Sequence, residues 1–128
     1  MIASPIAQRV LATAENPNRS IIVSIGQPEL DSDSTGDWLC RFQIEGIEDA
    51  GPHVVHGADS LQALLLAVED VRRKLDDSGL LLVWQNNEPS NFCIPRMVPY
   101  LFGGTFARDI EQYIDERIQT FGEALAQG

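Results

Sequence analysis

A chain of 128 residues, 44% hydrophobic and 22% charged, has the size and composition of one globular domain that buries its own core. Nineteen acidic residues against nine Lys and Arg give a formal charge of −10, which repels phosphate backbones and counts against nucleic-acid binding. The opening MIASPIAQ has no basic region and no long apolar region, and no later stretch has the length of a membrane span, so a cytoplasmic protein without membrane attachment is expected.

Residues 4–57 read as a β-meander. Residues 5–13 and 20–27 form two strands around the turn-forming Glu15-Asn16-Pro17-Asn18. A polar, acidic loop follows over 28–36. Residues 37–45 then alternate cleanly, with Trp38, Cys40, Phe42 and Ile44 on one face and Leu39, Arg41, Gln43 and Glu45 on the other. Such alternation belongs to an antiparallel sheet covered on one side. A short strand at 53–56 precedes a helix over 59–77, whose Leu61, Leu64, Leu65, Val68, Val71 and Leu75 recur at three- and four-residue steps. Asp59 with Gln62 has the spacing of a capping box. Ala63, Leu66 and Ala67 lie off the main stripe and form a second, smaller apolar side, to be covered by a later helix or by a second copy of the chain.

Ser78-Gly79 stops the helix, and residues 80–84 return as a short strand. Residues 85–104 hold three prolines and Gly103-Gly104 but also Phe92, Ile94, Met97, Val98, Tyr100, Leu101 and Phe102, too apolar for a linker. They are expected to cover the open end of the core, with a surface for another chain as the alternative. A second amphipathic helix over 105–126, capped by Thr105, closes the chain. The architecture expected is α+β: one domain over 1–128, an antiparallel sheet of about four or five strands and two amphipathic helices on one face. Trp38, Phe42, Leu64, Leu65, Val68 and Phe121 are its expected core.

The segments IAQRVL, IGQPE, WLCRFQIEG, ADSLQALLLAVEDVR and IPR, in this order, resemble a family of small bacterial proteins known only as a domain of unknown function. The likeness covers nearly the whole chain and rests on strands, a helix and turns. It implies a compact α+β domain and carries over no catalytic residue and no substrate.

No motif names a reaction. Asp31-Ser32-Asp33-Ser34-Thr35 matches the D-x-D-x-T string of haloacid-dehalogenase-type phosphotransferases, but that chemistry needs the first aspartate at the end of a buried parallel strand. The same residues imitate the start of a calcium loop, yet Phe42 stands where a bidentate glutamate closes the ring. A solvated acidic turn is expected instead. His53 and His56 fall on opposite faces of an extended segment and do not share a metal. Cys40 and Cys93 are expected to be reduced, Cys40 as inert core. Adjacent acids such as Asp76 with Asp77 face different ways on their helix and make no catalytic pair. No catalytic, cofactor-binding or metal-ligating residue is therefore assigned, and no cofactor is expected.

The leading expectation for function is a non-catalytic, acidic protein-binding module of the immunity or antitoxin kind, with a basic protein as partner. The alternative is a small-molecule-binding protein or small enzyme with a pocket between the sheet and residues 92–102, with His53, His56, Arg96 and Tyr100 as its polar groups. A third reading is a structural homodimer built on the Leu66 side or the irregular segment.

Overall fold

The computed structural model describes residue 2, residues 4–89 and residues 92–127. β1 (Ala7–Thr13) and β2 (Ser20–Ile25) pair antiparallel, with Ala7 opposite Ile25 and Ala12 opposite Ser20. The turn between them is held by the Thr13 hydroxyl, which donates to the Asn16 carbonyl at 2.9 Å and accepts from the Asn16 N–H at 3.1 Å. Asn16 in turn accepts the Asn18 N–H on its own side-chain oxygen, the local bonding that favours Asn in turns.

β2 does not run on to residue 27. Ile25 stands opposite Phe42 of β4 (Trp38–Glu45), whereas Glu29 of a two-residue strand β3 (Glu29–Leu30) stands opposite Leu39. Three residues, 26–28, thus face two, which is a β-bulge. Gly26 donates to the Arg41 carbonyl at 2.8 Å, and a Cβ there would lie 3.3 Å from the same oxygen. Pro28 has no N–H to give the ladder. The Gly26 and Asp31 N–H groups donate to the carbonyls of Arg41 on β4 and of Asp37 just before it, two steps of two apart, so β3 continues β2 along the same edge.

The Asp31-to-Thr35 string closes this β3–β4 hairpin. Asp31 accepts the Asp33 N–H at 3.0 Å and Ser34 donates to Asp37 at 2.7 Å, which makes the string an acidic turn. β5 (His53–Gly57) lines the other edge of β4, and β6 (Leu82–Val83) pairs with β1, for six antiparallel strands in one sheet.

One sheet face carries Leu11, Ile21, Val23, Ile25, Cys40, Phe42 and Ile44, all buried, and α1 (Ser60–Asp77) packs on β4 and β5 over that face. Fully burying a side chain such as Phe42 or Ile44 contributes about 1.5–3 kcal/mol. Asp59 caps α1, accepting the Gln62 N–H at 2.7 Å, while Gln62 reaches back to the Ala58 N–H at 2.6 Å. The helix rolls differently from its leucine stripe. Ala63, Ala67, Val71 and Leu75 are the buried positions, Leu64 and Val68 pack at the margin, and Leu61 and Leu65 are exposed. The cause is close approach at the start of the helix: at Gly57 on β5 a Cβ would lie 2.4 Å from the Ala63 N, so small residues fit there, and the larger Val71 and Leu75 fill the core further along. The smaller apolar side expected to meet another helix or another copy, through Ala63 and Ala67, therefore meets the sheet.

The chain divides into two units, Met1–Arg96 and Met97–Gly128. The irregular segment divides with it. Phe92 is buried in the core of the first unit, with Trp84 and Ile94 packed against that core, whereas Tyr100, Leu101 and Phe102 are exposed in the second. The second unit holds α2 (Gly104–Gln127), which starts one residue before the expected cap. Thr105 lies inside its first turn, and the Gly103 carbonyl accepts the Ala107 N–H at 3.1 Å. Phe121, expected in the core, is 61% exposed.

Candidate functional site

β5 places the two histidines on opposite faces, as an extended segment must. His53 stands beside Phe42 with ring centroids 4.9 Å apart, and its Nε2 lies 2.9 Å from the Asp49 carbonyl and 3.5 Å from the Asp49 carboxylate. The same carboxylate receives Lys74 from α1 at 3.2 Å. His56 is exposed on the other face and meets Asp31 at 3.4 Å. Arg96 ends the first unit as an exposed side chain. Tyr100, in the second unit, donates its hydroxyl to Glu111 at 3.2 Å, and that bond with the glutamate charge pushes the phenol above its ordinary range. Leu66 is half-buried on α1. None of these five residues is hydrogen-bonded to, ion-paired with or stacked on another among the described residues.

Sequence reasoning passed over Arg9. On β1 it shares the inward parity of Leu11 and Thr13, which is the signal available in the sequence. Its Nη1 donates to the carbonyls of Phe92 at 3.0 Å and Cys93 at 2.6 Å, and its guanidinium lies 4.0 Å from the centre of the Trp84 ring. Arg9 thus ties Trp84, Phe92 and Cys93 to the sheet. A cleft of about 150 Å³ remains beside it, lined by Arg9, Val23, Ile25, Val68, Ile94 and others. That is small against the ~300–1,000 Å³ of ordinary ligand pockets. A polar cleft of about 380 Å³ opens at the C-terminal end of α1, with Arg19, Glu48, Asp49, Lys74 and Asp77 on its walls. Its lysine is already engaged by Asp49, and Arg19 donates to the Gly46 carbonyl at 2.8 Å.

Neither cysteine is in a disulfide. Cys40 is buried, its thiol pushed up by burial and set 3.4 Å from the Gly26 carbonyl, the opposite of an activated nucleophile. Among the described residues no group of three or more His, Cys, Asp or Glu is placed to hold a metal ion, and no helix is long and apolar enough to cross a membrane.

Exposed apolar residues gather at two places among the described residues. A shelf in the first unit joins Pro28 and Trp38 to Leu61 and Leu64, with Leu30 beside Trp38 in the strand register. The second is the stripe of α2: Phe106, Tyr113, Ile114, Ile118, Phe121 and Leu125 are each between 39% and 73% exposed. Monomeric proteins seldom leave such contiguous surface without a use.

Residues 7–96 match the family model described as a domain of unknown function, DUF6968. The match ends at the residue that closes the first unit, and α2 lies outside it. No curated protein and no solved structure matches the chain.

Proposed function

We propose that this chain, which belongs to the DUF6968 family, is a non-catalytic, cytoplasmic protein-binding module whose acidic surface receives a basic partner protein, in the manner of an immunity protein or antitoxin. The observation that carries the reading is how the cations are used. The first unit has fourteen acidic and seven basic residues. Arg41, Arg72, Arg73 and Lys74 pair with Glu29, Asp76, Asp70 and Asp49, while Arg9 and Arg19 are spent on backbone carbonyls. Six of the seven are thus engaged internally, and the surplus carboxylates set the sign of the field around the domain. Such a field speeds encounter with a basic partner and repels acidic ones.

The test is capture from native lysate on the tagged full chain, at low and at moderate salt, with retained proteins identified by mass spectrometry. A basic protein held stoichiometrically and weakened by salt is the expected result, since screening shortens the reach of surface charge. Retention of nothing basic at either salt sinks the reading. A ligand-binding role draws more support from the 380 Å³ cleft beside Lys74 than from the 150 Å³ space next to Ile94 and Pro95.

A further inference from the structure

We infer that the free edge of β5 is a dimer interface: a second copy of this chain adds its own β5 antiparallel, making one continuous sheet, with Leu66 of each α1 meeting above the junction. This is independent of the basic-partner reading. The Gly26 and Asp31 N–H groups donate to the carbonyls of Arg41 and Asp37, so odd-numbered residues along β4 turn their main-chain groups to β2 and β3. Trp38, Cys40 and Phe42 therefore turn theirs to Gly57, Val55 and His53 of β5. Val54 and His56 point their N–H and C=O groups outward, and among the described residues no hydrogen bond reaches those groups. Native edges are usually blunted by proline, lysine or a bulge. β5 contains none of these and keeps an unbroken register with β4.

The position of α1 selects a second copy over a lone peptide strand. α1 packs on β4 and β5 alike, so its axis runs over the line between them. With strands about 4.8 Å apart, the two α1 axes of a continuous sheet stand two strand spacings, roughly 9.6 Å, from each other. That matches the ~8–10 Å of packed helices. The margins that face each other are apolar at their centre. Leu64 lies beside Trp38 and Val68 beside Val23, toward the middle of the sheet. Leu66 lies about 160° around the helix from both, on the β5 side. α1 runs back along β5, from Ala63 over Gly57 to Lys74 beside Asp49. Three residues past Ala63, at about 1.5 Å each, Leu66 stands between the levels of His56 and Val55. A lone strand would cover the edge and leave Leu66 bare, whereas a second copy covers both. Gln62, one turn before Leu66, faces Asp70 of the other copy, one turn after it, so this acid meets an amide and not its own twin.

The edge also selects its register. In a pairing centred on Val54, His56 falls opposite Pro52, which has no N–H. In one centred on His56, Val54 falls opposite Ala58, whose N–H is already held by Gln62 at 2.6 Å, and the two imidazoles meet. Centred on Val55, the pairing sets Val54 against His56 of the other copy, and every outward N–H and C=O of both residues is satisfied.

Sedimentation velocity on the full chain over a concentration series is expected to show a monomer–dimer equilibrium. Salt should strengthen it, because each copy carries −10 and screening relieves the repulsion. Val54→Pro removes an outward N–H and leaves the bonds to β4 in place. Leu66→Lys lowers the net negative charge yet sets two ammonium groups over the two-fold axis. Each should raise the dissociation constant about tenfold or more, with the far-UV circular dichroism unchanged. Of Val54→Cys, Val55→Cys and His56→Cys under mild oxidation, Val55→Cys should crosslink fastest, since the opposed residues of a non-hydrogen-bonded pair lie about 4.5 Å apart at Cα. The wild type, with Cys40 and Cys93 alone, is the control. A wild type that stays monomeric at millimolar concentration overturns the inference. So does a dimer that either variant leaves intact, a dimer that salt dissolves, or crosslinking that is fastest at position 54 or 56 or absent from all three. Capture of a basic protein tests the other reading alone, because salt acts on it with the opposite sign.

Discussion

Arg9 occupies a position on β1 where the strand pattern asks for a hydrocarbon, and its surroundings explain why a cation is stable there. Two carbonyls 83 and 84 residues along the chain accept its N–H groups, and the face of Trp84 takes the guanidinium plane. One of those carbonyls belongs to Cys93, a non-glycine residue held at φ 54° in the left-handed region. That conformation is sparsely populated for such a residue and persists only where the surroundings determine it. Arg9→Met keeps most of the stem and removes every donor, leaving both carbonyls without this partner. The expected loss is about 1–3 kcal/mol, seen as a lower urea midpoint, with amide exchange near residues 92–94 accelerating more than in the β2–β4 ladder. An unchanged midpoint with unchanged exchange would show that Trp84, Phe92 and Cys93 stay in place without the arginine.

At the scale of elements, α1 shows what a hydrophobic pattern weighs and what it misses. Large leucines dominate the periodicity, so the stripe through Leu61 and Leu65 is the natural choice for the core, but the sheet approaches the helix at Gly57 too closely for large side chains. The alanines therefore go inward. This orientation predicts a reversal of the usual order of harm. Leu65→Gln, at an exposed site with little change in helix propensity, should alter stability by less than about 0.5 kcal/mol. Ala67→Leu, which adds hydrophobic volume, should cost about 1–3 kcal/mol by overpacking. Paired chemical denaturation curves decide it, and the opposite ranking would mean that the leucine stripe faces the sheet. Elements set by local chemistry were legible in the sequence: the Asn16 turn, the alternation of β4, the Asp59 cap and the stop after Asp77 all rest on neighbouring residues. β3 was not, since two residues carry no periodicity and its pairing depends on a bulge around Gly26 and Pro28.

At the scale of the molecule, the site was less legible than the fold. Net charge can be counted from the sequence, but whether each cation is consumed by a carboxylate or a carbonyl depends on pairs such as Lys74 with Asp49 and Arg19 with Gly46, which only the folded backbone brings together. Amphipathicity likewise marks the stripe of α2 without saying whether it is covered. Three observations converge on residue 96: the division into units, the end of the family match, and a main core cluster that, among the described residues, is drawn from residues 11–94. A domain that needs no side chain from beyond Arg96 for its core should fold without them. A chain ending at Arg96 keeps all six strands, α1 and the Arg9 contacts to Phe92 and Cys93. Its thermal unfolding should stay cooperative, with a free energy within about 1 kcal/mol of the full chain, the scale of change expected when no core contact is removed. Salt-sensitive capture of the basic partner should weaken, since three of the ten surplus negative charges leave with α2. A truncated chain that unfolds over a broad, non-cooperative transition would place residues 97–127 among the supports of the fold.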